Sequence, residues 1–265
     1  MSYFNTCFLE QLKVKLALQP TAERNSKIYF HNIDKVAETR DSFDRIKLFF
    51  KRFPKFYYFL IEFISPVCSD QRPLRRFLAS AEGMVLNIGS GNSIRQQGVV
   101  NVDMMDYENV DIVCDIHHLP FKDNSVDAVM SLAVLEHVQE PAVVLKEVHR
   151  VLKPGGRVFS VIPFMQPFHA SPHDYQRYTL PGIEYLHRDF QKVESGVYSG
   201  PVSGALWAVQ EATASVLSCG SAKLRNLLTI VLMLLTWPIK FLDLMAMRMP
   251  TAKNVASTFY FHGKK

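Results

Sequence analysis

Residues 85–93 read VLNIGSGNS, an apolar run that stops in a Gly-x-Gly turn. Val85, Leu86 and Ile88 have the character of a strand. Gly89 and Gly91 permit a sharp turn and let a ligand approach the backbone with no Cβ in the way. Taken alone, the turn fits many doubly wound sheets, with or without a ligand.

The residues that follow sharpen this. Residues 99–103, VVNVD, place Asp103 at the C-terminal edge of a second strand. A carboxylate there can accept both hydroxyls of a ribose, although it follows the turn by somewhat fewer than the roughly 20 residues usual for a ribose acid. Residues 111–113 form a third strand, and Cys114-Asp115-Ile116 follows it. Asp115 can accept from the exocyclic amine of an adenine while Ile116 packs on the ring. NAD and S-adenosylmethionine (SAM) fit the first two features equally. NAD sites do not require the third.

The first strand is expected to run over 84–88, and further strands at 126–131, 157–162 and 256–261. A helix is expected at 140–152, with Pro141 near its start and Lys153-Pro154-Gly155-Gly156 ending it. Strand–helix–strand alternation predicts an α/β fold with a parallel sheet covered on both faces.

In their order, VLNIGSGNS, NVD, CDIHHLPFKDNSVDAVMSLAVLEHV and LKEVHRVLKPGGRVFSVIP resemble a class I SAM-dependent methyltransferase of the type 11 group. The resemblance runs from about residue 85 to 163, and more loosely to the C-terminus. It implies a Rossmann-like doubly wound sheet of seven strands, the last antiparallel. It places Gly89 and Gly91 beside the methionine part of SAM, Asp103 on the ribose and Asp115 with Ile116 on the adenine. Asn87, Met104 and Leu132 complete the expected cofactor contacts. Asn87 stands where the family usually has Asp or Glu, and Asn92 and Ser93 stand in place of a third glycine.

Methyl transfer from a sulfonium is an in-line displacement, so the protein must align the nucleophile and exclude water. A hydroxyl acceptor also needs a base. His137, in Leu135-Glu136-His137 after the fourth strand, falls on the rim where acceptors sit. After the fifth strand comes PFHASPHDYQRYT (167–179), dense in titratable groups. It reads as an acceptor-side loop with His173, Asp174 and Arg177 as substrate contacts or base. His169 and His173 have an HxxxH spacing, but Pro172 breaks the helix that would align them, so no metal is expected. The HDYxRYT pattern also resembles bacterial type 11 members found with cell-surface polysaccharide genes. That suggests a small-molecule saccharide or lipid-linked saccharide acceptor. A quinone-like or lipid acceptor is the alternative, and a non-catalytic membrane-associated SAM-binding protein a third reading. Nucleic-acid acceptors are not expected, because the motifs of amino-DNA and cytosine-C5 enzymes are absent.

The 265 residues suit one sizeable domain with additions. With 48% hydrophobic and 21% charged residues a packed core is feasible. The net charge of +5 is too weak to imply nucleic acid and suits an anionic membrane surface equally. Cys7, Cys68, Cys114 and Cys219 are scattered with no metal spacing, as expected of reduced thiols in the cytoplasm. No signal peptide is visible. Residues 1–80 read as a helical, basic and aromatic extension, and 81–265 as the SAM-binding domain with an apolar helical insertion at about 201–250. Residues 46–66 interleave Lys47, Lys51, Arg52 and Lys55 with eight Phe or Tyr residues, which suits a core-packing cap or an interfacial segment. Residues 227–239 carry no charge, but at about a dozen residues they fall short of the roughly 20 needed to span a bilayer. The expected location is cytoplasmic, with peripheral attachment to the inner membrane face as an option.

Overall fold

The computed structural model describes residues 12–24, 27–30, 65–170 and 172–265. The basic aromatic run at 46–66 lies outside the described residues except for Ser65 and Pro66. In chain order the elements are β1 (Ala22–Arg24), β2 (Lys27–Tyr29), α1 (Arg72–Ser80), β3 (Val85–Ile88), β4 (Val99–Asp103), β5 (Ile112–Val113), β6 (Val126–Leu132), α2 (Pro141–Val151), β7 (Leu152–Pro163), α3 (Leu180–Leu186), β8 (Gln191–Ser199), α4 (Pro201–Leu217), α5 (Ala222–Thr236), α6 (Asp243–Ala246) and β9 (Thr258–Lys264). They form one sheet in the order β1-β2-β5-β4-β3-β6-β7-β9-β8.

From β5 to β7 every pairing is parallel, and β9 runs antiparallel to both its neighbours. These strands, with β8, make the expected seven, the last one antiparallel. The sheet has two more. The β1–β2 hairpin comes from the zone expected to be helical, and β2 pairs Ile28 with Ile112 and Tyr29 with Val113. It covers the edge of β5, a two-residue strand whose backbone would otherwise be an open template. Three-residue strands leave too little periodicity to read in a sequence.

The central strands are buried on both faces, which explains their near-continuous apolar runs. One face packs Leu86, Ile88, Val100 and Val102 against Val144 and Val148 of α2. The other packs Val85, Met130 and Phe159 against Phe77 of α1, with the Phe77 and Phe159 rings 5.3 Å apart. Pro141 begins α2, but the helix ends at Val151 and Lys153-Pro154-Gly155-Gly156, expected to end it, lies within β7, where Gly155 has φ +77°, a conformation that costs a side chain dearly.

The strand order reverses between β3 and β6, so their C-terminal ends open a crevice. The β3-to-β4 connection there departs from the expected alternation, because residues 89–98 contain no helix. The loop's backbone and side chains are tied down instead. Ser90 N donates to Val102 O at 3.1 Å, Asn109 N donates to Asn92 Oδ1 at 3.1 Å, and Arg95 Nε lies 2.9 Å from Asp111 Oδ1. The uncovered sheet face leaves a cavity of about 250 Å³ beside α1, lined by Leu74, Leu78, Asn87, Ile94, Asn101 and Leu132.

The C-terminal helices pack inside out. Asp243 is fully buried and accepts from Val202 N (2.9 Å), Ser203 N (2.8 Å) and Ser203 Oγ (2.5 Å), which caps the start of α4. Lys240 is buried too and donates to Ser65 O at 3.0 Å. No residue of α5 is buried, and Leu227, Leu234 and Leu235 are exposed. The expected dozen-residue apolar segment is longer than the uncharged stretch suggested. Ala222–Ala246 is a 25-residue helical run that holds an 18-residue window of mean hydropathy 1.8, long and apolar enough by length and composition to cross a membrane, and its Lys240 and Asp243 are buried.

Candidate active site

Two groups of residues meet at the C-terminal edge of the sheet. The first is built on the glycine turn. Gly89 has φ +63°, and a Cβ there would collide with the Val134 side chain from the turn after β6. Gly91 has φ +55° with open space around it. Asp103 ties this turn to β4: Oδ2 accepts from Gly91 N at 2.7 Å and Oδ1 from Met105 N at 2.8 Å. Burial raises the Asp103 pKa against the pull of these backbone donors. Each oxygen keeps a lone pair for a further donor. Met104 beside it is 55% exposed.

Asp115, just beyond β5, accepts from His117 N at 2.9 Å, and His117 Nδ1 lies at 2.7 Å. Burial pushes its carboxyl up, but the His117 contacts outweigh this and hold it below the usual range. Ile116 is buried next to it.

Asn87 and Leu132 line the cavity beside α1. Asn87 Nδ2 donates to Asn101 Oδ1 at 3.0 Å, while Asn101 Nδ2 donates to the carbonyls of Ser93 (3.1 Å) and Asn109 (3.0 Å). Both Asn101 amide hydrogens are thus committed, and its oxygen requires a donor. An ionised Asp at 87 has none to give, which accounts for the amide at that position.

The second group lies on the turn after β6 and the loop after β7. Leu135–His137 form a single 3-10 turn. Glu136 is fully buried, and neither carboxylate oxygen has a hydrogen-bond partner among the described residues. His137 Nε2 stands 3.7 Å from Glu136 Oε1, and His169 Nε2 stands 3.8 Å from the same oxygen. The two imidazoles meet edge to face, 5.4 Å between centroids. His137 Nδ1 lies 2.5 Å from His173 O, and His169 Nδ1 lies 2.9 Å from Pro167 O. Burial alone would lower the His169 pKa, but the facing Glu136 carboxylate and the Pro167 carbonyl lift it above the ordinary value.

Asp174 and Arg177 hold the loop. Arg177 grips both oxygens of Asp174 and also donates to Gln166 O (3.2 Å) and Pro167 O (3.0 Å). The Arg177 contact brings the Asp174 pKa down to about 2, against the opposing effect of burial, and His169 N donates to it at 2.8 Å. So acidic a carboxyl suits positioning better than proton transfer. The His173 ring stands against Tyr175, 5.4 Å between centroids, and His173 enters the cluster only through its carbonyl. Of the three catalytic candidates, the structure therefore brings His137 into the cluster. It adds Glu136 and His169, which sequence reasoning did not assign a role. The adjacent Glu-His pair was visible, but the burial of Glu136 was not.

Comparison with known proteins bears on the first group. Residues 90–160 match the family model described as "Methyltransferase domain". This segment is therefore similar to the methyltransferase domains of that family. The family is SAM-dependent, and its methyltransferases are transferases of one-carbon groups. Among curated relatives, an uncharacterized 37.1 kDa protein of a Streptomyces fradiae transposon is 38% identical over 30% of this chain and 23% of its own. The ubiquinone/menaquinone biosynthesis C-methyltransferase UbiE of Haemophilus ducreyi is 36% identical over 34% of this chain and 32% of its own. The chain thus spans less than a third of the length of these relatives. A putative sarcosine dimethylglycine methyltransferase from Galdieria sulphuraria shares the fold, with TM-score 0.50, 16% identity, and coverage of 84% of this chain and 98% of that one.

Proposed function

We propose that this chain transfers the methyl group of SAM to a hydroxyl of a saccharide or lipid-linked saccharide. The observation that carries this is the Glu136, His137 and His169 cluster on the same rim as the glycine turn, linked to it by Val134 against Gly89. In the reaction the acceptor oxygen attacks the methyl carbon, the carbon–sulfur bond breaks and S-adenosylhomocysteine leaves. The hydroxyl proton is given up at this cluster. Asp103 and Asp115 hold the ribose and adenine, and the Asp174–Arg177 clamp sets the loop over the acceptor. Alignment and water exclusion supply much of the acceleration. The test is an acceptor screen with methyl-labelled SAM over sugars, lipid-linked sugars and quinones. Label in a sugar hydroxyl is the expected result, and label in quinones alone would replace this reading.

A second reading, a quinone-like or lipid acceptor, draws on the UbiE relatives and on the exposed apolar side of α5. The same surface supports peripheral attachment to an anionic membrane at the cytoplasmic face. Lys223 and Arg225 flank its start and Arg248 its end, where cations meet lipid headgroups. Flotation with anionic liposomes tests this: the chain should rise with the vesicles, and a chain left at the bottom ends the idea.

A further inference from the structure

We propose that Glu136, His137 and His169 bind one divalent transition-metal ion of the zinc class, beside the point of methyl transfer. The proposal deepens the methyltransferase reading and rests on it for the ion's use, though not for its binding.

The argument begins with hydrogen atoms. A backbone carbonyl only accepts, so His137 Nδ1 must donate to His173 O and His169 Nδ1 to Pro167 O. In the neutral imidazoles this leaves both Nε2 atoms as bare lone pairs. Both face Glu136 Oε1, itself an acceptor when ionised. Three acceptors therefore converge with no hydrogen between them. The carboxylate among them is fully buried and bonds to nothing else among the described residues. An ionised carboxylate in such a place needs a cation.

A proton on His169, which the facing carboxylate favours, does not bridge the gap. At 3.7 Å and 3.8 Å the nitrogens are beyond hydrogen-bond reach of the oxygen. A metal serves better. Bonds of about 2.0–2.1 Å in a tetrahedral site put neighbouring ligand atoms about 3.4 Å apart, so each His–Glu separation is within a few tenths of an ångström of that spacing and side-chain rotation closes the third. All three ligand atoms lie within 4.8 Å of one another.

The donor set names the class. Two imidazoles and one carboxylate with a fourth position left open suit zinc, and they suit other first-row ions in the order of their general affinities. The Nδ1–H bonds to carbonyls are the outer contacts that fix ligating imidazoles in orientation and tautomer. The Asp174–Arg177 clamp fixes the loop that carries His169, through the Asp174 bond to His169 N. The HxxxH spacing of His169 and His173 does not describe this site. Its second imidazole is His137, brought in from the turn after β6. When bound, the ion would hold the acceptor oxygen and lower the pKa of its hydroxyl.

The test uses the full chain, stripped with a chelator and titrated with Co²⁺ alone, with no SAM present. One equivalent should bind, give visible absorption bands typical of low coordination number, and be displaced by Zn²⁺. Glu136→Gln and His169→Ala should each weaken uptake about tenfold or more. His173→Ala keeps the carbonyl and should bind as the parent does. S-adenosylhomocysteine affinity, measured on the same samples, checks that each variant is folded. If Glu136→Gln does not fold, His137→Ala and His169→Ala carry the test. Absence of stoichiometric Co²⁺ uptake, or uptake unchanged in those variants, overturns the proposal. Binding of Co²⁺ by a chain that fails to bind S-adenosylhomocysteine would leave the metal site standing and remove the methyltransferase reading.

Discussion

In the sheet, Val100, Val102, Val129 and Phe159 have no exposed surface, whereas along α5 Leu227, Leu234 and Leu235 are between 46% and 72% exposed. The polar residues reverse the pattern. Asp243, Ser203 and Lys240 are buried beneath the C-terminal helices. The two regions answer to different surroundings. The sheet is held by apolar burial, worth about 25 cal/mol per Å² removed from water. The helices are held to the body by a buried polar seam and turn their apolar surface outward, as a segment resting on lipid or on an apolar ligand would.

This contrast can be broken most sharply at Phe159. Its ring packs against Phe77 and Tyr260, so Phe159→Ala should cost about 3–5 kcal/mol in denaturant unfolding. A cost below about 1 kcal/mol would mean that the sheet is not the seat of stability.

Next in size is a pH effect on the sheet's back face. His187 is buried on Phe261, and its Nε2 lies 2.8 Å from Ser160 Oγ. Burial lowers its pKa from 6.5 to about 4, against a hydrogen bond to Ile183 O. The unfolded chain therefore takes up the proton first as pH falls. The contribution is fully present above pH 6.5 and is lost as pH falls toward 4, about 3 kcal/mol in all. Unfolding free energies at pH 7 and pH 4 should show this slope in the parent and lose it in His187→Gln.

In the helical region the polar seam should matter more than the apolar surface. Asp243→Ala removes the cap on α4 and should cost about 2 kcal/mol. Leu235→Ser should change stability by less than about 0.5 kcal/mol. It should nonetheless reduce flotation with anionic liposomes. A large stability loss at Leu235 would mean that this face is core and the contrast false.

The same contrast sets how much was legible. The strands at 99–103 and 126–132 announced themselves because both faces are buried and the apolar runs are continuous. The count of seven strands, the last antiparallel, came from the family resemblance, while β8 at Gln191–Ser199 was not read from the residues. The β1–β2 hairpin was too short to leave a pattern. The missing helix at 89–98 was hinted at only by the short gap from Gly91 to Asp103. In the site, Gly89, Gly91 and Asp103 were legible because backbone conformation and strand-end position follow from local sequence. The Glu136, His137 and His169 cluster was not, because it depends on two distant loops meeting and on the burial of one carboxylate. The burial of Lys240 and Asp243 was hidden for a related reason: a charge in sequence does not say which way it faces.

The central claim is that the glycine turn and Asp103 form a SAM site, and titration calorimetry with S-adenosylhomocysteine tests it most directly. The account predicts one equivalent bound, with Asp103→Ala weakening the affinity by about tenfold or more through lost ribose hydrogen bonds. Binding of NAD with none of S-adenosylhomocysteine, or an affinity unchanged by Asp103→Ala, would contradict it.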